Sequence, residues 1–146
     1  MIKKLDTFKL TPKGMKPLLD MEAYLGKETT IEPLIRELIK MRASQINGCA
    51  YCLNMHTTDT LKLGETAQRI FLLNAWQETN LFTDKEKAVL EFVEKVTLIA
   101  DFDLDEEVYE NLSQYFSDKE IVDLTLYIAT INAWNRLNIV FNNLVV

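Results

Sequence analysis

Apolar residues recur along this chain with the period of a helix. Val89, Phe92, Val93, Val96, Ile99 and Ala100 stand at i, i+3, i+4, i+7, i+10 and i+11, a stripe on one face of an amphipathic helix. Its start is marked by Thr83-Asp-Lys-Glu86, a capping box in which the Thr and Glu side chains each take up a free amide of the first turn. The same pattern recurs at Ser117-Asp-Lys-Glu120. Leu34, Ile35, Leu38, Ile39, Arg42 and Ala43 trace a helix beginning near Pro33, a residue suited to a first turn. Ala67, Ile70, Phe71 and Asn74 predict a shorter one between residues 65 and 77, and a further helix fits 105–115.

The last segment reads differently. Between residues 121 and 144, apolar side chains such as Val122, Leu126, Ile131, Trp134, Ile139 and Phe141 fall on every face. A helix of that kind is buried all round, here with one side expected against another subunit. Breaks are predicted near 26–31, 47–48, 64, 78–83, 101–105 and 116–118, and none has the composition of a domain linker. No proline follows Pro33 and no glycine follows Gly64, which favours helices with short polar joints. No stretch alternates as a strand would. The expectation is one all-α domain over residues 1–146, with six or seven helices.

Composition narrows the partners. Hydrophobic residues make up 48% of the 146 positions and charged residues 26%, an ordinary globular balance. The net charge is −6 with no basic cluster, which argues against nucleic acid or an anionic membrane as a partner. Lys3, Lys4, Asp6, Lys9 and Lys13 leave no apolar signal core in the first fourteen residues. The apolar run 124–134 is broken by Thr125, Thr130 and Asn132 and falls short of the roughly 20 residues a spanning helix needs. A soluble, cytoplasmic protein is expected. In that compartment a C-x-x-C pair is more often catalytic or metal-binding than a structural staple.

Both cysteines and the only histidine lie in one short stretch, at Cys49, Cys52 and His56. Gly48 offers an end for the helix begun at Pro33, and a new helix can run from about Cys49 to Leu63, where Gly64 ends it. Cys49, Cys52 and His56 then stand at i, i+3 and i+7, within roughly a 60° arc of one helix face. A helix N-terminus and a nearby imidazole both favour the thiolate, the reactive form of a thiol whose free pKa is about 8.5. A second cysteine three residues away can close a disulfide and spare the first from over-oxidation. Glu37, twelve residues before Cys49, is a candidate to orient His56, although spacing alone does not bring the two together. The same four side chains could instead bind zinc, but a structural zinc site usually brings two such hooks and only one is present. Asn132, Asn135 and Arg136, on the apolar last helix, are expected to form a structural polar network.

The pattern Glu37, Cys49, Cys52, His56 resembles the active-site signature of the AhpD-like alkyl hydroperoxidases, within the carboxymuconolactone decarboxylase superfamily. The words Met41-Arg-Ala-Ser-Gln-Ile-Asn-Gly-Cys-Ala-Tyr-Cys52, Ala75-Trp-Gln-Glu78 and Ile131-Asn-Ala-Trp-Asn-Arg136 resemble that family's text as well. The likeness spans roughly residues 32–141. It implies an AhpD-like helical fold with the cysteines at a helix start, and a thiol peroxidase that needs no organic or metal cofactor. Cys52 would be the thiol oxidised by a hydroperoxide, and Cys49 the thiol that closes the disulfide. His56 and Glu37 would form the proton relay. An external dithiol, a lipoyl group or a thioredoxin-like protein, would be the reductant, and the protein a homo-oligomer, often a trimer or hexamer. One departure stands out: Tyr51 replaces the histidine that the best-known peroxidases carry immediately before the second cysteine, which implies slower turnover or another substrate. The alternatives are a zinc-binding or redox-regulatory thiol module without turnover, a non-catalytic helical oligomer, and a lactone decarboxylase-type activity of the same superfamily. The decarboxylase branch lacks the cysteine pair, which weighs against the last.

Overall fold

A computed structural model describes residues 4–103, 105–143 and 145. Among these the chain forms eight α-helices and no strand: α1 (Thr7–Leu10), α2 (Pro12–Lys27), α3 (Pro33–Asn47), α4 (Ala50–Lys62), α5 (Ala67–Leu72), α6 (Asp84–Thr97), α7 (Glu106–Ser113) and α8 (Asp118–Val140). A 3₁₀ turn, Leu73–Glu78, follows α5.

The expected punctuation is present. Both capping boxes are complete, Thr83 with Glu86 on α6 and Ser117 with Glu120 on α8. Pro33 opens α3 and Gly48 closes it with φ 70°, a left-handed conformation that glycine adopts without a Cβ penalty. Other expectations are corrected. The helix count exceeds six or seven because α1 and α2 precede the first predicted helix. Helix α2 carries Gly14, Pro17 and Gly26 within Pro12–Lys27, and Met15 and Leu25 anchor it in the core. The helix predicted over 65–77 is two pieces, α5 and the 3₁₀ turn, with non-helical backbone at Ala75; Leu73 and Trp76 fill the core while Phe71 stays 78% exposed. The α6 stripe stops at Thr97, so Ile99 lies past the helix end and is exposed. On α8 the helix ends at Val140, and Val122, Ile139 and Val140 are exposed on this chain rather than buried. The predicted end at Leu144 lies outside the described residues.

Helix α3 is the axis of the fold, packed against α4, α6 and α8. Its Ile35, Ile39 and Ala43 join the larger core with Val89 and Val93 of α6 and Leu124 and Ile128 of α8. Its Leu38 and Met41 join a smaller one with Leu73, Trp76, Phe82 and Leu90. With two faces committed to core, the side of α3 that faces α4 is left for chemistry.

Arg69 braces the smaller core. It bonds Glu65 (2.9 Å), Glu86 (2.5 Å) and the Leu81 carbonyl, and lies over the Phe82 ring at 4.5 Å. Burial alone would push Glu86 up; the hydrogen bond from Arg69 and the cap at Thr83 outweigh it and hold the carboxyl below its ordinary range. Arg69→Ala is expected to lower stability by about 3 kcal/mol, the lower end of the cost of breaking a buried ion pair, read as a shift in the urea midpoint.

Candidate active site

The joint between α3 and α4 is two residues long. Gly48 turns the chain, and Cys49, in an extended conformation (φ −86°, ψ 93°), is the N-cap of α4. Its sulfur takes the place of a capping oxygen, accepting the Cys52 amide at 3.4 Å. Cys49 therefore stands just outside the helical arc predicted for it, while Cys52 and His56 follow one turn apart on α4. The two sulfurs are joined as a disulfide with a Cα–Cα separation of 5.4 Å.

Spacing alone left Glu37 unplaced; the fold brings it to His56. Because α3 and α4 form a tight antiparallel pair, the Glu37 carboxylate lies 2.8 Å from His56 Nδ1, and both side chains are buried. Lys40, one turn along α3, donates to the other Glu37 oxygen at 3.2 Å. Burial alone would raise the Glu37 carboxyl; the hydrogen bond from His56, with the charge of Lys40 behind it, outweighs burial and holds the group below its usual value. An ionised carboxylate only accepts hydrogen bonds, so Nδ1 is the donor to Glu37 and Nε2 is the nitrogen left free to exchange a proton. All four predicted site residues thus meet at one helix pair.

Above them lies a cavity of about 420 Å³. Tyr51, Cys52, Met55 and His56 of α4 form one wall, and Ile131, Trp134 and Asn138 of α8 another. Of the two cysteines, only Cys52 belongs to the lining. Phe8 of α1 closes one end, stacked on Trp134 with ring centroids 6.4 Å apart. Trp134 is held from behind by Glu22 of α2, which accepts its indole N–H at 3.0 Å.

Three members of the site escape a motif reading. Lys40 is one, legible only as a cation at i+3 from Glu37. Asn138 is another: its side-chain amide donates to the Cys52 sulfur at 3.4 Å. Its signal in the sequence is the i, i+3, i+7 relation of Ile131, Trp134 and Asn138, a stripe that ends in a polar group. The third is Asp59, whose carboxylate falls within 4.8 Å of the ligand atoms of Glu37 and His56. This set differs from the zinc set drawn from the sequence, since neither cysteine belongs to it. Its donors are already engaged: Glu37 is bonded by His56 and Lys40, and Lys62 bonds Asp59 at 2.8 Å. The Lys40 ammonium supplies the positive charge that a metal ion would bring.

Beneath the cavity lies the expected polar network. Asn47 donates to Asn132 (2.7 Å) and Asn135 (2.9 Å), Asn135 to Ser44 (2.9 Å), and Arg136 to the Asn132 carbonyl (2.8 Å). Arg42 and Trp76 share Glu94, at 2.8 and 2.7 Å. These bonds lock α8 and α6 to the end of α3 from which the cysteine turn departs.

Comparison with known proteins agrees with this architecture. A model of the carboxymuconolactone decarboxylase family matches residues 12–95. The chain is 43% identical over 143 residues to the uncharacterized protein YdfG of Bacillus subtilis, covering 98% of this chain and 97% of the relative. It superposes with a TM-score of 0.92 on a crystal structure from Agrobacterium tumefaciens, at 36% identity over 97% of each chain. That protein is described as of unknown function and as a candidate antioxidant defence protein, AhpD. An uncharacterized peroxidase-related protein from Silicibacter sp. TM1040 matches with a TM-score of 0.80 at 25% identity, over 93% of this chain and 72% of that one. The chain belongs to the carboxymuconolactone decarboxylase family, as an AhpD-like member. Among the described residues, no helix is long and apolar enough to cross a membrane.

Proposed function

We propose that this protein is a thiol-dependent peroxidase of the alkyl hydroperoxidase type. The observation that carries the reading is the position of Cys52. It lines the cavity, with Cys49 paired to its sulfur and the Glu37–His56 pair one turn away on the same helix. In the reduced protein the Cys52 thiolate attacks the terminal oxygen of a hydroperoxide. The O–O bond breaks, Cys52 becomes a sulfenic acid, and the alkoxide leaves with a proton supplied through His56. The Cys49 thiol then attacks the sulfenic sulfur, expelling water and closing the disulfide. An external dithiol, a lipoyl group or a thioredoxin-like protein, restores both thiols and becomes a disulfide itself. The two thiols carry the chemistry, and no cofactor enters.

The mixed lining of the cavity suits a small organic hydroperoxide, with aromatic and aliphatic walls and a few convergent polar groups. Tyr51 lines the cavity at the position where the known peroxidases carry histidine, so His56 is the only imidazole available to move the proton. Homo-oligomerisation, as a trimer or hexamer, belongs to the same proposal, and the exposed Val122, Ile139 and Val140 of α8 favour it.

The test is hydroperoxide consumption by the purified protein with a panel of reductants: a dihydrolipoyl carrier, a reduced thioredoxin and dithiothreitol. Catalytic turnover with at least one dithiol is expected, and a monothiol at equal concentration should support far less. No consumption with any dithiol, in protein whose two thiols titrate as reduced, would overturn the assignment.

A further inference from the structure

The mechanism above gives no role to α8, yet α8 touches the sulfur. We propose that Asn138 is a further catalytic residue, whose side-chain amide hydrogen-bonds the Cys52 sulfur and stabilises its thiolate, and that Asn143 is the positioning residue that aims it. The inference rests on the reading of Cys52 as the reacting thiol.

Local geometry builds the contact. Helix α8 ends at Val140, and Asn142 takes a left-handed conformation (φ 53°), which asparagine tolerates better than most residues. The turn sends the chain back, so that the Asn143 amide bonds the Asn138 carbonyl at 3.0 Å. The Asn143 side chain then donates to Asn138 Oδ1 at 2.8 Å. That second bond engages Asn138 Oδ1 as an acceptor. Nδ2 is the end 3.4 Å from the Cys52 sulfur.

The chemistry follows from charge. A neutral sulfur is a weak acceptor, whereas a thiolate is a full anion and a hydrogen bond to it is charge-assisted. The same N–H therefore gains more from the ionised thiol than from the neutral one, which lowers the thiol pKa. It also serves at the end of the cycle, when the disulfide opens and negative charge returns to the Cys52 sulfur. The titratable groups around the cavity are Glu22 of α2, Glu37 and Lys40 of α3, and Tyr51, His56 and Asp59 of α4. Helix α8 contributes none to the lining, so Asn138 acts as a neutral donor whose effect is not screened by its own titration.

The test follows alkylation of Cys52 by iodoacetamide against pH, in a Cys49→Ser background that leaves one thiol. Asn138→Leu keeps the volume and removes the donor. Asn138→Asp keeps the shape and turns the donor into an anion. Both are expected to move the inflection to higher pH and to slow alkylation at pH 7 by roughly tenfold, the equivalent of one pKa unit, while the plateau rate at high pH holds. Asn143→Ala should move the inflection the same way by less. Inflections unmoved in both Asn138 variants overturn the assignment. So does a fall in plateau rate alone, which marks altered access rather than a lost hydrogen bond. Because alkylation needs no peroxide, this result stands apart from whether the protein turns over hydroperoxides.

Discussion

Cys52→Ser protein is expected to consume no hydroperoxide above background with any dithiol, a total loss of turnover. Cys49→Ser is expected to lose turnover in a different way. The asymmetry comes from the site. Cys52 lines the cavity, while Cys49 caps α4 outside that lining, with its sulfur on the Cys52 amide. A serine at position 52 is too weak a nucleophile at neutral pH to attack a peroxide, and the proton relay then has nothing to serve. With serine at position 49, the capping oxygen is if anything a better N-cap than sulfur, so α4 keeps its start. Cys52 then reacts once and stops as a sulfenic acid, because the thiol that should expel water is gone. The measurement is stoichiometry: one equivalent of peroxide consumed per chain, with the product trapped by a cyclic 1,3-dione and seen as a mass adduct on the peptide carrying Cys52. If the adduct instead formed on Cys49 in Cys52→Ser protein, the roles of the two thiols would be reversed.

How much of this was legible in the chain depends on the range of each interaction. The helix starts at Thr83, Ser117 and Pro33 and the stop at Gly48 are local chemistry, complete within four residues, and the structure has them where the sequence puts them. The relation of Cys52 to His56 is local too, one turn of one helix. Glu37 is nineteen positions from His56 and reaches it only because a two-residue joint folds α3 against α4. The motif implied the meeting, and packing brings it about. Asn138 is farther still, 86 positions from Cys52, and no periodicity within α8 names its partner. The errors share a cause with the misses. Helix α2 went unpredicted because Gly14, Pro17 and Gly26 are poor helix residues, and the burial of Met15 and Leu25 offsets them. Phe71 fits a helical stripe, but the face that packs is the one carrying Leu73 and Trp76. In each case a tertiary contact decided what local preference left open or pointed away from.

Glu37→Gln is expected to lower peroxide turnover by about 100-fold, in the range that a positioned acid–base group contributes, with the thiols intact and still alkylated at a measurable rate. Glutamine keeps the shape of the side chain but not its charge. Its amide can present either end to His56, so Nδ1 is no longer held as a donor and Nε2 is no longer held as the base. Lys40 also loses the anion 3.2 Å away. The same substitution has a signature in stability that a purely local defect would lack. The folded-state carboxyl of Glu37 lies below its unfolded value of about 4.3. Its contribution to stability is therefore fully present above that pH and is lost as the pH falls through the lower folded value. Glu86 shifts in the same direction, so both proteins lose stability in acid, but the Glu37→Gln variant lacks the share that belongs to position 37. Urea unfolding at a series of pH values from 7 to 3 reads this directly. The wild type should be the more stable at pH 7, and the gap should narrow below about pH 4. A gap that stays constant across the series would mean that Glu37 contributes through packing alone, and that its carboxylate does not hold His56 by charge.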